Sequence, residues 1–227
     1  MEEIKLRIKT LSPILPGNGQ TFGSLIDSDV VFDDYGLPII PAKRIKGLLR
    51  DSAIEVLDMF KLSNVTDKLD FFKHEKEDNI VSRIFGLPGN NKQTCLYIDN
   101  LYITDYTTIY KEIENLLSSK YNKFINKNDI IDNFTEIRKQ TSIDAESQTA
   151  KKHSLRTIRV VKKGLEFETI LVINHNIEEA INLLVLAAIN LKRIGSKRNR
   201  GFGEVECSLE LTDNQKKFWR LHEIIAL

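Results

Sequence analysis

The sequence predicts an α+β fold of the ferredoxin-like kind, an antiparallel four-stranded sheet with two helices on one face. Three observations predict it. Period-two alternation of apolar and polar residues marks strands near both ends of the chain and in its middle. Two segments carry the i, i+3/i+4 apolar spacing of amphipathic helices. With polar insertions set aside, the order reads strand, helix, strand, then strand, helix, strand.

The elements follow in chain order. Residues 3–10 alternate as a half-buried strand, and Pro13, Pro16, Gly17, Gly19 and Gly23 then mark an irregular loop. Val30 to Phe32 form a short strand before the turn Asp33-Asp34-Tyr35-Gly36. Pro41 sits near the first position of a helix whose buried face is Ile45, Leu48, Leu49, Ala53, Val56, Leu57 and Phe60. Residues 61–80 are polar and acidic, a loop or short helix. Gln93 to Thr104 suggest an extended pair or a bulged strand. Residues 105–135 read as an insertion with a helix near Ile109–Leu117. Residues 138–157, poor in apolar anchors, should project from the body. Arg159 to Asn174 read as two strands joined around Lys163-Gly164. The second helix runs from about Ile177 to Arg193, with Asn176 as N-cap, Lys192 and Arg193 in its last turn, and Gly195 as C-cap. Glu204 to Leu211 alternate as a last strand, and Asp213 opens a short helix.

Composition bounds the class. The 227 residues include 41% hydrophobic and 29% charged, with a net charge of +1, which excludes disordered, collagen-like and disulfide-scaffold chains. Cys95 and Cys207 stand apart, so no zinc site is expected. The longest apolar run, Leu183 to Ile189, is far short of a membrane span. The first residues read as a strand with no apolar signal-peptide core, so the expectation is a cytoplasmic protein without a membrane partner.

The small net charge hides segregation. Residues 41–50 carry Lys43, Arg44, Lys46 and Arg50, a charge of +4. Residues 192–200 carry +5, and residues 138–163 carry +6, which leaves −14 for the rest of the chain. Either these are solvated segments that never meet, or the fold brings them to one polyanion. Lys43 and Lys46 lie in the opening turn of the first helix. There a cation costs about 0.3–1 kcal/mol relative to an acid, but it suits a phosphate. The segment Gly195-Ser196-Lys197-Arg198-Asn199-Arg200-Gly201-Phe202-Gly203 interleaves cations with glycines that permit positive φ and close approach to a ligand. It lacks the G-K-[ST] ending of a nucleotide-phosphate loop.

Leu37-Pro38-Ile39-Ile40-Pro41-Ala42-Lys43-Arg44-Ile45-Lys46-Gly47-Leu48-Leu49-Arg50 resembles the L-P-x-I-P-G-S-S-L-K-G-x-L-R block of the RAMP superfamily of CRISPR-associated proteins. Gly195 to Gly203 resembles that superfamily's glycine-rich loop. Arg83-Ile84-Phe85-Gly86, Thr141 to Lys151 and Gly164-Leu165-Glu166-Phe167 resemble blocks of one branch, the repeated backbone subunit of type III effector complexes. Ala42, Lys43 and Arg44 replace the usual Gly-Ser-Ser.

The resemblance implies a single domain over 1–227. Its parts are a ferredoxin-like (RRM-like) palm of about 1–104 and 158–211, a helical insertion of about 105–135, and a β-hairpin thumb of about 136–157. It implies guide RNA (crRNA) and single-stranded target RNA as partners, with further copies of the chain and other CRISPR effector subunits. RNA-binding residues would be Lys43, Arg44, Lys46, Arg50, Lys151, Lys152, Arg156, Gly195, Ser196, Lys197, Arg198, Arg200, Gly201 and Gly203. The block Ser24-Leu25-Ile26-Asp27-Ser28-Asp29-Val30 resembles the family's G-I-D-x-x-V stretch and aligns Asp27 with the residue that cleaves target RNA with transient Mg²⁺ or Mn²⁺. Chemically, a carboxylate can hold such an ion or orient a 2′-hydroxyl. The alternatives are a non-cutting copy of that subunit and a guide-processing endoribonuclease. The latter would use a histidine near the N-terminus as acid/base, yet the first histidine is His74, in an acidic stretch, and His153, His175 and His222 lack evident partners. An RNA-recognition motif begins well at Arg200-Gly201-Phe202-Gly203 but is not continued by Glu204-Val205-Glu206.

Overall fold

A computed structural model describes residues 1–17, 26–63, 77–87, 94–144, 148–151, 154–175, 177–198 and 200–217, with backbone alone at 77–79. Its strands are β1 (Glu2–Thr10), β2 (Val31–Phe32), β3 (Pro38–Ile39), β4 (Leu96–Ile98), β5 (Tyr102–Ile103), β6 (Thr135–Gln140), β7 (Arg156–Val161), β8 (Glu166–Ile173) and β9 (Val205–Glu210). Its helices are α1 (Ala42–Leu62), α2 (Glu77–Phe85), α3 (Tyr106–Ser118), α4 (Lys127–Phe134), α5 (Ile177–Asn190) and α6 (Asp213–Lys216), with a 3-10 turn at Lys120–Lys123.

The main sheet is ordered β4-β8-β1-β9, with β5 continuing β4 along β8, and every pairing is antiparallel. With β4 and β5 counted as one position, this is the ferredoxin-like order. Alternation sends Ile4, Leu6 and Ile8 of β1 and Phe167, Leu171 and Ile173 of β8 into the core. The outer face of the sheet is laced with ion pairs. Lys5 and Arg7 reach Glu168 at 3.4 and 3.5 Å, Arg7 reaches Glu210 at 2.7 Å, and Lys9 reaches Glu166 at 3.0 Å.

Both long helices cover the inner face. α1 buries Ile45, Leu49, Ala53, Val56 and Leu57, as its periodicity predicts, and α5 buries Ile181, Leu184 and Ala188. Ser52 ties them together, donating to the Ala187 carbonyl at 2.8 Å and accepting from Asn190 Nδ2 at 3.0 Å. Pro41 precedes α1 as its cap residue and supplies no side-chain bond. Instead the kink between β4 and β5 caps it, because Asn100 Oδ1 accepts from the Ala42 N–H at 2.9 Å. The interruption in the predicted extended pair thus serves the helix beside it.

The end of α5 differs from the sequence reading. The helix stops at Asn190, so Lys192 and Arg193 lie beyond it and Gly195 is not its C-cap. The chain leaves the helix to pair with β9, where the Lys192 carbonyl accepts the Val205 N–H at 2.9 Å and Arg193 bridges Glu204. Asn176 and most of the 61–80 stretch fall outside the described residues.

The predicted insertion is helical, as α3, the 3-10 turn and α4. Asn126 and Asp129 form a reciprocal capping box at the start of α4. The projecting segment is a hairpin of β6 and β7, in register from Thr135↔Val161 to Gln140↔Arg156. It is rooted more deeply than predicted, since Ile158, Val160 and Val161 of β7 are fully buried. Its outer part is held by Ser154, whose hydroxyl pairs with Thr141 at 2.7 Å and donates to the Lys151 carbonyl at 2.6 Å.

Candidate nucleic-acid interface

Two loops are bound into one body beside the start of α1. At Gly195 the backbone has φ +81°, and a Cβ would stand 2.6 Å from the Leu15 carbonyl oxygen, which accepts the Ser196 N–H at 3.0 Å. Gly203 is as confined, since its Cβ would stand 2.4 Å from the Ile194 carbonyl oxygen, while its own N–H donates to Pro13 at 2.9 Å. The close approach at Gly195 is therefore to the protein's own strap at Pro13–Gly17, and that at Gly203 is to Ile194 at the start of the same loop. That strap continues to the hairpin, where Ile14 and Val161 exchange backbone hydrogen bonds of 2.8 and 3.1 Å.

The glycine loop faces a cavity of about 520 Å³ across from α1. Leu15, Ile40, Ile45 and Ile194 form its floor, with Lys43, Arg44 and Arg198 among its lining. Lys43, Arg44, Ser196 and Arg198 are exposed, so two of the three basic segments meet there. Lys46 and Arg50 do not join them. Lys46 Nζ donates to the Leu96 carbonyl at 3.0 Å and to Thr94 at 3.3 Å, and burial holds its ammonium below the usual lysine range. Arg50 lines a smaller cleft with Ile54, Leu57 and Asp58 on another flank.

The other side of the loop touches the hairpin at the outer end of the β6–β7 ladder. Lys197, with a left-handed backbone at φ +62°, donates to Gln140 Oε1 at the end of β6. Gln140 pairs across the hairpin with Arg156, which is exposed. Burial comes first, then Arg200 and Arg156, in holding the Lys197 ammonium below its usual range, with Asp27 partly opposing them. Arg200 and Gly201 are exposed on the loop, and Lys151 is exposed on the outer hairpin. Lys152 lies outside the described residues. Other cations of the third segment are occupied internally. Arg159 pairs with Asp29 at 3.4 Å, Arg138 with Glu136, and Lys162 donates to the Asp132 and Asn133 carbonyls at 2.8 Å.

Asp27 lies near the same end of the ladder. Its N–H donates to the Thr157 carbonyl at 2.8 Å, and its Oδ2 accepts the Thr157 N–H at 2.7 Å. Ser28 then bridges Ile158, so residues 27–28 run along the free edge of β7. Asp29 accepts from the Val30 N–H and from Arg159, and Asp33 closes its turn by accepting the Tyr35 and Leu37 N–H groups. Among the described residues no group of three His, Cys, Asp or Glu side chains is placed to hold a metal. Cys95 and Cys207 are buried, and burial pushes the Cys207 thiol up to about 12. At Asp27 one carboxylate is present, with its Oδ2 already accepting the Thr157 N–H, and a divalent ion held by a single protein carboxylate would have to take most of its shell from water and substrate. Gln140, Thr157 and the Pro13–Gly17 strap are parts of the site that no sequence motif marks. No helix among the described residues is long and apolar enough to cross a membrane.

A ferredoxin-like palm, a basic loop between helix and strand, and a rooted hairpin define the class. The chain belongs to the RAMP superfamily, whose profile matches residues 7–206. In structure it is similar to a chain of the Type III-B Cmr-beta bound to cognate target RNA, determined by cryo-EM. Their TM-score is 0.61 at 13% identity, over 96% of this chain and 99% of that one. A chain of the apo state of Type III-B Cmr-beta gives a TM-score of 0.62 at 13% identity, over 93% and 98%. None of the curated protein sequences matches the chain.

Proposed function

We propose that the chain is a backbone subunit of a type III CRISPR effector complex, which carries guide RNA and cleaves complementary target RNA. The observation that carries this reading is the double engagement of the glycine loop: Arg198 lines the α1 cavity, while Lys197 reaches the outer end of the β6–β7 ladder, near where Asp27 is held. The fold likeness to a complex bound to cognate target RNA supports it.

In this reading the guide backbone lies along Lys43, Arg44 and Arg198. Such side chains neutralise phosphates and read shape, leaving sequence to base pairing. Lys151 and Arg156 hold the guide–target duplex against the hairpin, and Asp27 orients the 2′-hydroxyl of the target nucleotide to be cut. A Mg²⁺ or Mn²⁺ ion at Asp27 supplies charge neutralisation at the scissile phosphate when bound. The complex includes copies of this chain and other effector subunits, and works in the cytoplasm in antiviral defence.

One observation favours a second reading, a non-cutting copy: the Thr157 N–H already occupies Asp27 Oδ2, as a purely structural aspartate would require. Expression with its operon partners, followed by sequencing of bound RNA and a target-cleavage assay, separates the two. Guides with a shared 5′ tag are expected in the purified complex, together with Mg²⁺-dependent cuts at regular spacing that Asp27→Ala abolishes. A guide-loaded complex that never cuts selects the second reading, and an RNA-free monomer rejects both.

A further inference from the structure

We propose that Lys197 is the general acid of the cleavage step, giving its proton to the 5′-oxygen that leaves while Asp27 acts on the 2′-hydroxyl. The inference rests on the cleavage reading above and assigns a second residue to it.

Local preference does not explain the backbone at Lys197. Lysine rarely adopts φ near +60°, yet Lys197 does so at φ +62° between the confined Gly195 and the outer end of the β6–β7 ladder. Strained residues of this kind persist where surrounding structure holds them, often at functional sites. Here the consequence is directional: the ammonium is delivered onto Gln140, an uncharged acceptor that holds it without neutralising it.

Placement across β7 supplies the second argument. Residues 27–28 run along one edge of β7, and β6 with Gln140 runs along the other. Thr157, which holds Asp27, follows Arg156, which pairs with Gln140. The two attachment points are therefore about two inter-strand spacings apart, roughly 10 Å at the backbone. In-line displacement at phosphorus has the attacking and leaving oxygens on opposite sides, so base and acid must also approach from opposite sides. A phosphodiester crossing β7 at the outer end of the ladder meets a carboxylate from one side and an ammonium from the other.

The step balances without a co-reactant. The bond from 2′-oxygen to phosphorus forms as the bond from phosphorus to the 5′-oxygen breaks. The 2′-hydroxyl, oriented by Asp27, gives its proton to solvent water, and the Lys197 ammonium gives its proton to the 5′-oxygen, leaving a 2′,3′-cyclic phosphate and a 5′-hydroxyl. Lys197 then regains a proton from water. The groups facing Lys197 (Arg156 on β7, Arg200 on its own loop, Asp27 on the opposite edge) leave a net positive surround, and with burial they make its proton easier to lose than that of a free lysine.

The test compares two target RNAs in the assembled complex, one with an ordinary scissile phosphate and one with a bridging 5′-sulfur. The sulfur leaves as a thiolate and needs no proton. Lys197→Met is expected to slow cleavage of the ordinary RNA by about a hundredfold or more, and to cut the 5′-thio RNA within a few-fold of wild type. Lys197→Arg, which keeps the charge but holds its proton, should show the same split. Equal slowing of both RNAs, or of neither, overturns the proposal. Loss of guide-loaded complex in both variants assigns Lys197 to the scaffold and overturns it too. If wild type itself leaves both RNAs intact, the cleavage reading falls, and the proposal with it.

Discussion

Asp27 and Thr157 are bonded to each other twice, N–H to carbonyl at 2.8 Å and N–H to carboxylate at 2.7 Å. Asp27, for which we propose the cleavage role, is thus fixed near the outer end of the β6–β7 ladder by backbone groups, and its position does not depend on a long side chain. A carboxylate used for chemistry needs its charge, whereas one used for structure needs only its acceptor oxygen.

Asp27→Asn separates these roles. The amide oxygen still accepts the Thr157 N–H, so the melting temperature should stay close to wild type, while target cleavage should fall by about two to four orders of magnitude. Asp27→Ala should lose cleavage equally and also melt earlier. Thermal denaturation and a cleavage time course on the same preparations check both. An Asn variant that cuts at the wild-type rate would assign Asp27 to structure alone.

Lys43 and Lys46 should part company in RNA binding. Removing Lys43 or Arg44 at the cavity should weaken guide binding and reduce the salt slope by about 0.7 for each phosphate no longer neutralised on single-stranded RNA. Lys46→Met should leave the slope unchanged, because that ammonium is already committed to Leu96 and Thr94. Filter binding over a range of salt concentrations reads the difference.

Alanine at two glycines should act with opposite signs. Gly195→Ala places a methyl 2.6 Å from the Leu15 oxygen at φ +81°, and should destabilise by at least about 2 kcal/mol. Gly47 lies within α1, where a Cβ would meet nothing within 4 Å, so Gly47→Ala should stabilise by about 0.5–1 kcal/mol. Urea midpoints of the two variants are the measurement.

Tyr106 should make stability fall in alkali. Burial first, then its 3.0 Å hydrogen bond to Asp33, raises the phenol above its ordinary value of 10.0. Its contribution is fully present below pH 10 and is lost as pH rises past 10 toward the higher folded value, because the unfolded chain ionises first. Tyr106→Phe should cost about 1 kcal/mol at neutral pH and flatten the decline above pH 10, seen as urea midpoints against pH.

Much of the palm was legible because periodicity is a local record of burial. The β1 alternation and the α1 stripe are the residues the core takes. The end of α5 was not legible, since Leu191 and Ile194 continue an apolar spacing while Lys192 and Arg193 imitate a favourable helix end. Pairing to β9, a distant strand, is what stops the helix. Within the site, helical geometry splits the basic run of α1. Lys46 stands two positions from Arg44, about 200° round the helix, and Arg50 six positions, so one run serves different flanks. Gln140 and Thr157 carried no signal, because their roles come from cross-strand neighbours far away in sequence.

The paired charges on the outer face of the sheet have a consequence for how the strands find one another during folding. Slipping β1 by one residue against β8 would turn Lys5, Arg7 and Lys9 inward, away from Glu166, Glu168 and Glu210, and strand three cations among aliphatic side chains. Each misplaced charge would cost several kcal/mol of lost hydration. The ladder of ion pairs therefore works as a proofreading rule, contributing little to the finished fold and making its nearest misalignment prohibitive.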